Sequence, residues 1–253
     1  MKSIAGLLFI FFTSIAFGQN TMNIHKTDGS VLQIPIAEID SVTYTIAPGA
    51  LFTAGGGVSD IEGHVYTSII VGNQEWMAEN LNTAHYSNGD SIPNIISNNQ
   101  WSVLTSGAWS YYNNDPQFEN PYGKLYNWFT VVDSRNVCPT GWHTPSDDEW
   151  NTLLSNLGGA SAAGGKMKEA GIVHWTNPNV NADNSGGFSG LPGGYRLNTG
   201  TSMNTFDYGY WWSSVEYNPG TAAYYCSLWH NNGLARMAFN YEAYGLSVRC
   251  VKN

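Results

Sequence analysis

Apolar and polar positions alternate in short runs along most of this chain, and only two stretches carry helical spacing. HVYTSIIVGNQEWMAENL, residues 64 to 81, begins with strand-like alternation, turns at Gly72-Asn73 and continues as a second short strand through Trp76. In Lys124 to Val132 the apolar residues Leu125, Trp128, Phe129 and Val132 fall at helical intervals and predict a short buried helix. A second helix should begin at Ser146, where Ser146 and Glu149 make a capping box and Asp147 and Asp148 occupy the first turn. Trp150, Leu153, Leu154 and Leu157 give that helix an apolar face, and Gly158-Gly159 stops it. Beyond Gly164 the pattern is mostly loop and short strands, with Tyr210–Trp212, Ala222–Leu228 and Leu246–Val251 reading as strands. Helices early and strands late predict an α+β class: two short helices, a small mostly antiparallel sheet and long irregular loops.

Upstream of this region the pattern changes twice. Lys2 and the apolar run Ile4–Phe17, followed by the small residues Ala16 and Gly18, read as a secretory leader over residues 1–18, with a mature chain from Gln19. The run is short of the ~20 residues that a membrane span needs. No cysteine follows the cleavage point, so no lipid anchor is expected, and no second spanning run or C-terminal anchor is legible. Residues 19–45 form a small β-hairpin unit turning at Asp28-Gly29, with Pro35 breaking its second strand. Ile36 and Ile39 fit one helical turn there, and Val42–Tyr44 another short strand. Residues 46–58, with Pro48-Gly49 and Gly55-Gly56-Gly57, read as a linker. The main domain then fills residues 59–253.

Charge narrows the partners. Ten Lys and Arg stand against nineteen Asp and Glu, a net of −9, and loss of Lys2 with the leader makes it −10. Such a surface repels phosphate backbones and anionic membranes, so nucleic acid is excluded as an expected partner. The expected location is secreted, periplasmic or cell-surface.

Six segments, GNQEWMAENL, YGKLYNW, CPTGWHTPSDDEW, GFSGLPGGYR, WWSS and GLSVRCVKN, occur in an order that resembles the FISUMP family, the Fibrobacter-type major paralogous domain of secreted bacterial proteins, over residues 60–253. HTPSDDEWNTLLSNLGG and GLSVRCV are more distantly similar to the helix and closing strand of formylglycine-generating-enzyme-type domains. The resemblance implies a C-type-lectin-like fold, with the Ser146 helix packed on a sheet that includes the C-terminal strand. It also makes Cys138 and Cys250 the natural disulfide pair, since lectin-like folds often tie their ends this way; two free buried thiols are the alternative. Cys226, which alternates with Tyr224 and Leu228, is left as a buried spare.

The resemblance brings no activity with it, and the motifs for one are missing. Cys226 and Cys250 lie 24 residues apart, unlike the close copper-binding pair of formylglycine-generating oxidases. The six histidines, His25, His64, His85, His143, His174 and His230, show no His-x-x-x-His-x-Glu spacing. Leu191 stands where a nucleophile elbow needs its second Gly, and no phosphate-binding glycine loop is present. A non-enzymatic binding or adhesion module is the expectation, with a degenerate enzyme or a structural envelope protein as alternatives. No cofactor is expected; Asn179, Asn181 and Asp183 alternate oxygen-bearing side chains as some calcium loops do, but only one is charged and the closing Glu is missing, so a plain polar loop is the preferred reading over a structural calcium site.

Aromatic load points to the ligand. Ten Trp, fifteen Tyr and ten Phe exceed what the family motifs use as filler. Tyr208, Tyr210, Trp229, His230 and Asn231 cluster near glycine turns, and aromatic faces with amides suit sugar rings and hydroxyls. An extracellular glycan is the expected partner, a cell-surface protein the next.

Overall fold

The computed structural model describes residues 21–25, 31–35 and 49–253. The leader, the Asp28-Gly29 turn and the segment from Ile36 to Tyr44 lie outside the described residues. Two compact units result, Met1–Ala50 and Leu51–Asn253. In the first, β1 (Thr21–His25) pairs antiparallel with β2 (Val31–Pro35), and Pro35 is the last residue of its strand.

The second unit is a mixed α+β body of short antiparallel ladders and few short helices. One five-stranded sheet has β3 (Thr53–Ala54), β6 (Ser68–Val71), β7 (Gln74–Met77), β10 (Trp142–His143) and β17 (Val251–Lys252) in the order β10-β17-β7-β6-β3. Another joins β8 (Trp109–Ser110), β9 (Leu125–Asn127), β11 (Tyr195–Arg196), β12 (Ser202–Met203) and β16 (Gly245–Leu246) in the order β12-β11-β16-β9-β8. A three-stranded sheet holds β13 (Tyr208–Asn218), β14 (Ala222–Trp229) and β15 (Ala235–Tyr241), and β4 (Val58–Ser59) and β5 (Val65–Tyr66) make a separate hairpin. The helices are α1 (Asn98–Trp101), α2 (Glu119–Tyr122), α3 (Trp128–Val131), α4 (Asp147–Asn156) and α5 (Ala160–Met167), the first three a single turn each.

Several expectations hold. β6 and β7 meet across Gly72-Asn73, with Val71 opposite Gln74 and Gly72 at φ +62. Ser146 caps α4 as a full capping box, its hydroxyl accepting from Glu149 N while the Glu149 carboxylate accepts from Ser146 N.

Others are corrected. The segment from Lys124 to Val132 is not one helix: Leu125–Asn127 is β9, and only Trp128–Val131 is helical. β9 pairs on both sides, with β16 and β8, so cross-strand hydrogen bonds override the helical spacing. Asn127 ends the strand and caps the turn, its side-chain oxygen accepting from Thr130 N. Leu246–Val251 is likewise not one strand, for β16 and β17 flank irregular backbone at residues 248–250. There the carbonyls of Val248 and Cys250 accept from Leu81 N and Met77 N, and the Arg249 side chain turns inward. α5 answers to no apolar stripe in the sequence. Its Gly164 lets it pack on the chain beside β15, where an added Cβ would sit 2.1 Å from the Leu234 carbonyl oxygen. The stretch read as linker through Val58 carries β3 and the first residue of β4.

Two cores share the interior. The first gathers Met77, Leu81, Tyr86, Tyr126, Trp128, Trp142, Trp212 and Val248 around Cys138 and Cys250, which form a disulfide. The second clamps α4 and α5 onto the sheets through Trp76, Trp150, Leu153, Leu157, Met167, Phe188, Trp211 and Leu228. The ring centroids of Trp76 and Trp150 are 4.7 Å apart, an aromatic pair worth about 0.5–1.5 kcal/mol beyond its buried area. Cys226 is free and buried in this second core.

Candidate functional site

Pairing within the three-stranded sheet decides which aromatic side chains share a face. Tyr208 lies opposite Trp229, Tyr210 opposite Ser227, and Ser227 opposite Arg236. Because side chains alternate along a strand, Tyr208, Tyr210, Trp229 and Arg236 stand on one face. Gly209, Leu228, Cys226 and Met237 take the other face, which packs into the second core.

On the first face the rings are in contact. Tyr208 meets Trp229 edge-on at 5.2 Å and Tyr210 at 6.0 Å, and His230 stands 6.4 Å from Tyr208. The row continues through Tyr195, 5.0 Å from Tyr210, to Tyr244, stacked on Tyr195 at 5.6 Å with near-parallel planes. Tyr225 joins from β14, 5.6 Å from Tyr210. The Arg236 guanidinium lies 4.7 Å over the Trp229 ring. All these rings are half-buried, and Arg236 and Asn231 are exposed. Burial raises the hydroxyl pKa of Tyr195, Tyr210, Tyr225 and Tyr244, so these phenols remain hydrogen-bond donors at neutral pH.

The platform is held from behind by one cation. The fully buried Lys168 ammonium donates to the carbonyls of Trp229 at 3.0 Å, Asn232 at 2.9 Å and Val180 at 2.8 Å. Burial pushes its pKa down to about 8. Val180 N donates to the His230 carbonyl, and His230 N to that of Asp207, so the turn after β14 is tied on both sides. Trp229 Nε1 and His230 Nδ1 are buried without a partner among the described residues. An unpaired buried donor costs roughly 1–3 kcal/mol.

The calcium candidates behave differently. Asn179 Nδ2 donates to the carbonyls of Glu169 and Gly171, while Asp183 Oδ1 accepts from Ser185 N. Asn181 lies against Gly165 and Gly233 with φ +60. Asn179 Oδ1, the atom that a cation would use, is buried without a partner among the described residues. An open hollow of about 180 Å³ sits apart from the aromatic platform, lined by Ser59, Asp60, Ile61, Ser87, Pro139 and Thr140. It presents no aromatic face.

The charged residues in the recurrent motifs serve the architecture. Arg249 is fully buried, donating through Nε to Asn80 Oδ1 at 3.0 Å and through its terminal nitrogens to the carbonyls of Phe188 and Ser189. Its guanidinium covers the Phe188 ring at 4.0 Å. Burial brings its pKa down to about 9. Arg196, also buried, donates to the carbonyls of Gly200, Ile95 and Ile96 and lies over Trp101. Neither reaches the platform's ring row. The Cys226 thiol is buried, and desolvation raises its pKa, so it lacks the thiolate that nucleophilic chemistry requires.

Sequence reasoning singled out Tyr208, Tyr210, Trp229, His230 and Asn231 and missed Tyr195, Tyr225, Arg236, Tyr244 and Lys168. Tyr225 and Arg236 follow once the β13–β14–β15 register is known. Tyr195 comes from β11 in a different sheet and Tyr244 from the turn between β15 and β16, and neither carries a local signal. Residues 69–252 match the family model described as the Fibrobacter succinogenes major domain. No curated protein matches the chain. No solved structure matches it either.

Proposed function

This chain belongs to the Fibrobacter succinogenes major domain family, and from that premise we propose that it is an extracytoplasmic, non-enzymatic binding module whose ligand is a carbohydrate. The observation that carries the reading is the continuous row Trp229–Tyr208–Tyr210–Tyr195–Tyr244, begun on one face of the three-stranded sheet and extended by β11 and the turn before β16. Stacked rings offer apolar faces to the C–H side of pyranose rings, and protonated phenols, Asn231 and Arg236 offer donors to the hydroxyls. A disulfide fits an extracytoplasmic location, and no described helix is long and apolar enough to cross a membrane. A C-type-lectin-like arrangement is our reading of the fold. Its support is α4 packed against β13 and β14, and the staple between the segment before β10 and the segment before β17.

The enzyme alternative finds its one free thiol buried and protonated. The test is a glycan array on residues 19–253, followed by calorimetry of the strongest ligand. Trp229→Ala should weaken binding at least tenfold, the loss of about 1.4 kcal/mol expected for one stacking ring. Tyr217→Ala, on the opposite side of the sheet, should leave binding unchanged. An array without a saturable hit, or a hit indifferent to Trp229→Ala, ends the proposal.

A further inference from the structure

The hairpin β4–β5 closes through a five-residue loop, Asp60-Ile61-Glu62-Gly63-His64, in which every second residue carries a metal-ligating side chain. Backbone bonds from Asp60 N to the His64 carbonyl and from Gly63 N to the Asp60 carbonyl fix the loop. Asp60 Oδ1 accepts from the backbone N–H of Glu62 and of His64, which leaves Oδ2 facing the loop's interior. The ligating atoms of Asp60, Glu62 and His64 lie within 4.8 Å of one another. His64 Nδ1 is 3.0 Å from Asp60 Oδ2 and 3.7 Å from Glu62 Oε2. A tetrahedral ion with ligand bonds of about 2.0–2.2 Å sets its ligands roughly 3.4 Å apart, and the observed separations bracket that spacing.

A second histidine comes from elsewhere in the chain. His85 Nδ1 approaches Glu62 Oε1 at 2.6 Å, so one carboxylate faces two imidazoles. The outer partners are also present. Tyr66 Oη donates to Asp60 Oδ2, and Ala84 N donates to Glu62 Oε2. Such groups orient ligands around bound transition metals. Asp60 is nearly fully buried, whereas the His64 side chain is 42% exposed, which leaves the cluster open to solvent on one side. One imidazole with two carboxylates, and water in the fourth place, are a donor set for a zinc-class ion; calcium takes oxygen ligands in greater number.

We infer that Asp60, Glu62 and His64 form a binding site for a divalent transition-metal ion of the zinc class, with His85 holding the Glu62 carboxylate from outside. This site is independent of the aromatic platform and of any carbohydrate reading. Chelator-treated residues 19–253 titrated with ZnCl₂ in a calorimeter should bind one ion per chain, with CaCl₂ at least tenfold weaker. His64→Ala, at a half-exposed position that leaves the fold unchanged by circular dichroism, should weaken Zn²⁺ binding at least tenfold. His85→Ala, which removes the outer partner of Glu62, should weaken it by about 10–100-fold. His143→Ala, whose imidazole pairs with Glu149 far along the chain, should bind as the parent does. Co²⁺ in place of Zn²⁺ should give visible absorption that His64→Ala removes. Absence of saturable Zn²⁺ binding, or equal affinity in the parent and His64→Ala, would overturn the site and leave the cluster as a set of ion pairs.

Discussion

Removing the Cys138–Cys250 bond is the sharpest perturbation of this fold. The two residues are 112 positions apart, and closing a loop of that length removes about 4.8 kcal/mol of unfolded-state entropy in the chain model. Both sulfurs are fully buried in the first core, so Ser replacements would add unpaired hydroxyls; the Cys138→Ala/Cys250→Ala pair is the cleaner change. Cys226 supplies the control, because it is free and equally buried but closes no loop. Cys226→Ala should cost about 1 kcal/mol, the loss of one small buried group. The assay is urea unfolding of residues 19–253. With a slope near 3 kcal/mol/M for a domain of this size, the double replacement should lower the midpoint by about 1.5 M and Cys226→Ala by a few tenths. Equal shifts for the two variants would refute the entropic argument. A Cys226-linked peptide in non-reducing mapping would refute the pairing itself.

Two further perturbations test the buried polar groups. Asn80 Oδ1 accepts from Trp211 Nε1 at 2.8 Å and from Arg249 Nε at 3.0 Å, while its Nδ2 donates to the Tyr122 carbonyl. Asn80→Ala leaves Arg249 Nε and the Trp211 indole without their shared acceptor, so thermal or urea unfolding should show a loss of about 2–4 kcal/mol; a loss under about 1 kcal/mol would mean that both donors find other partners. Lys168 titrates near 8 in the folded chain, against about 10.4 in an unfolded one. Between those values the unfolded chain binds more protons, so this group makes stability rise as pH increases from about 8 toward 9.5. Lys168→Met should flatten that slope in melting curves, and should destabilise the turn after β14 by leaving three carbonyls unpaired; an unchanged slope would place the titration elsewhere.

The sequence alone determined what depends on neighbours in the chain. The α4 capping box needs only Ser146 and Glu149 three residues apart, and the turn at Gly72 needs only a residue that accepts positive φ. The six ordered motifs were enough to identify the family that the chain proves to belong to. Tyr208 and Tyr210 share a face because β13 begins at Tyr208, two residues before the strand start that the sequence suggested, and alternate residues of one strand share a face. What depends on distant partners was not legible. Leu125–Asn127 became strand because β8 and β16 flank it, and α5 packs beside β15 because Gly164 leaves room for the Leu234 backbone. Tyr195 reaches the platform from another sheet and Tyr244 from the turn before β16, and Lys168 reaches it through carbonyls about 60 residues away in sequence. Asp60, Glu62 and His64 were written in plain alternation, but only the β4–β5 hairpin folds them inward and only tertiary packing delivers His85 to the same carboxylate. Short-range geometry is set by the covalent chain and its hydrogen bonds, whereas a surface assembled from several sheets exists only once the cores have chosen which segments lie side by side.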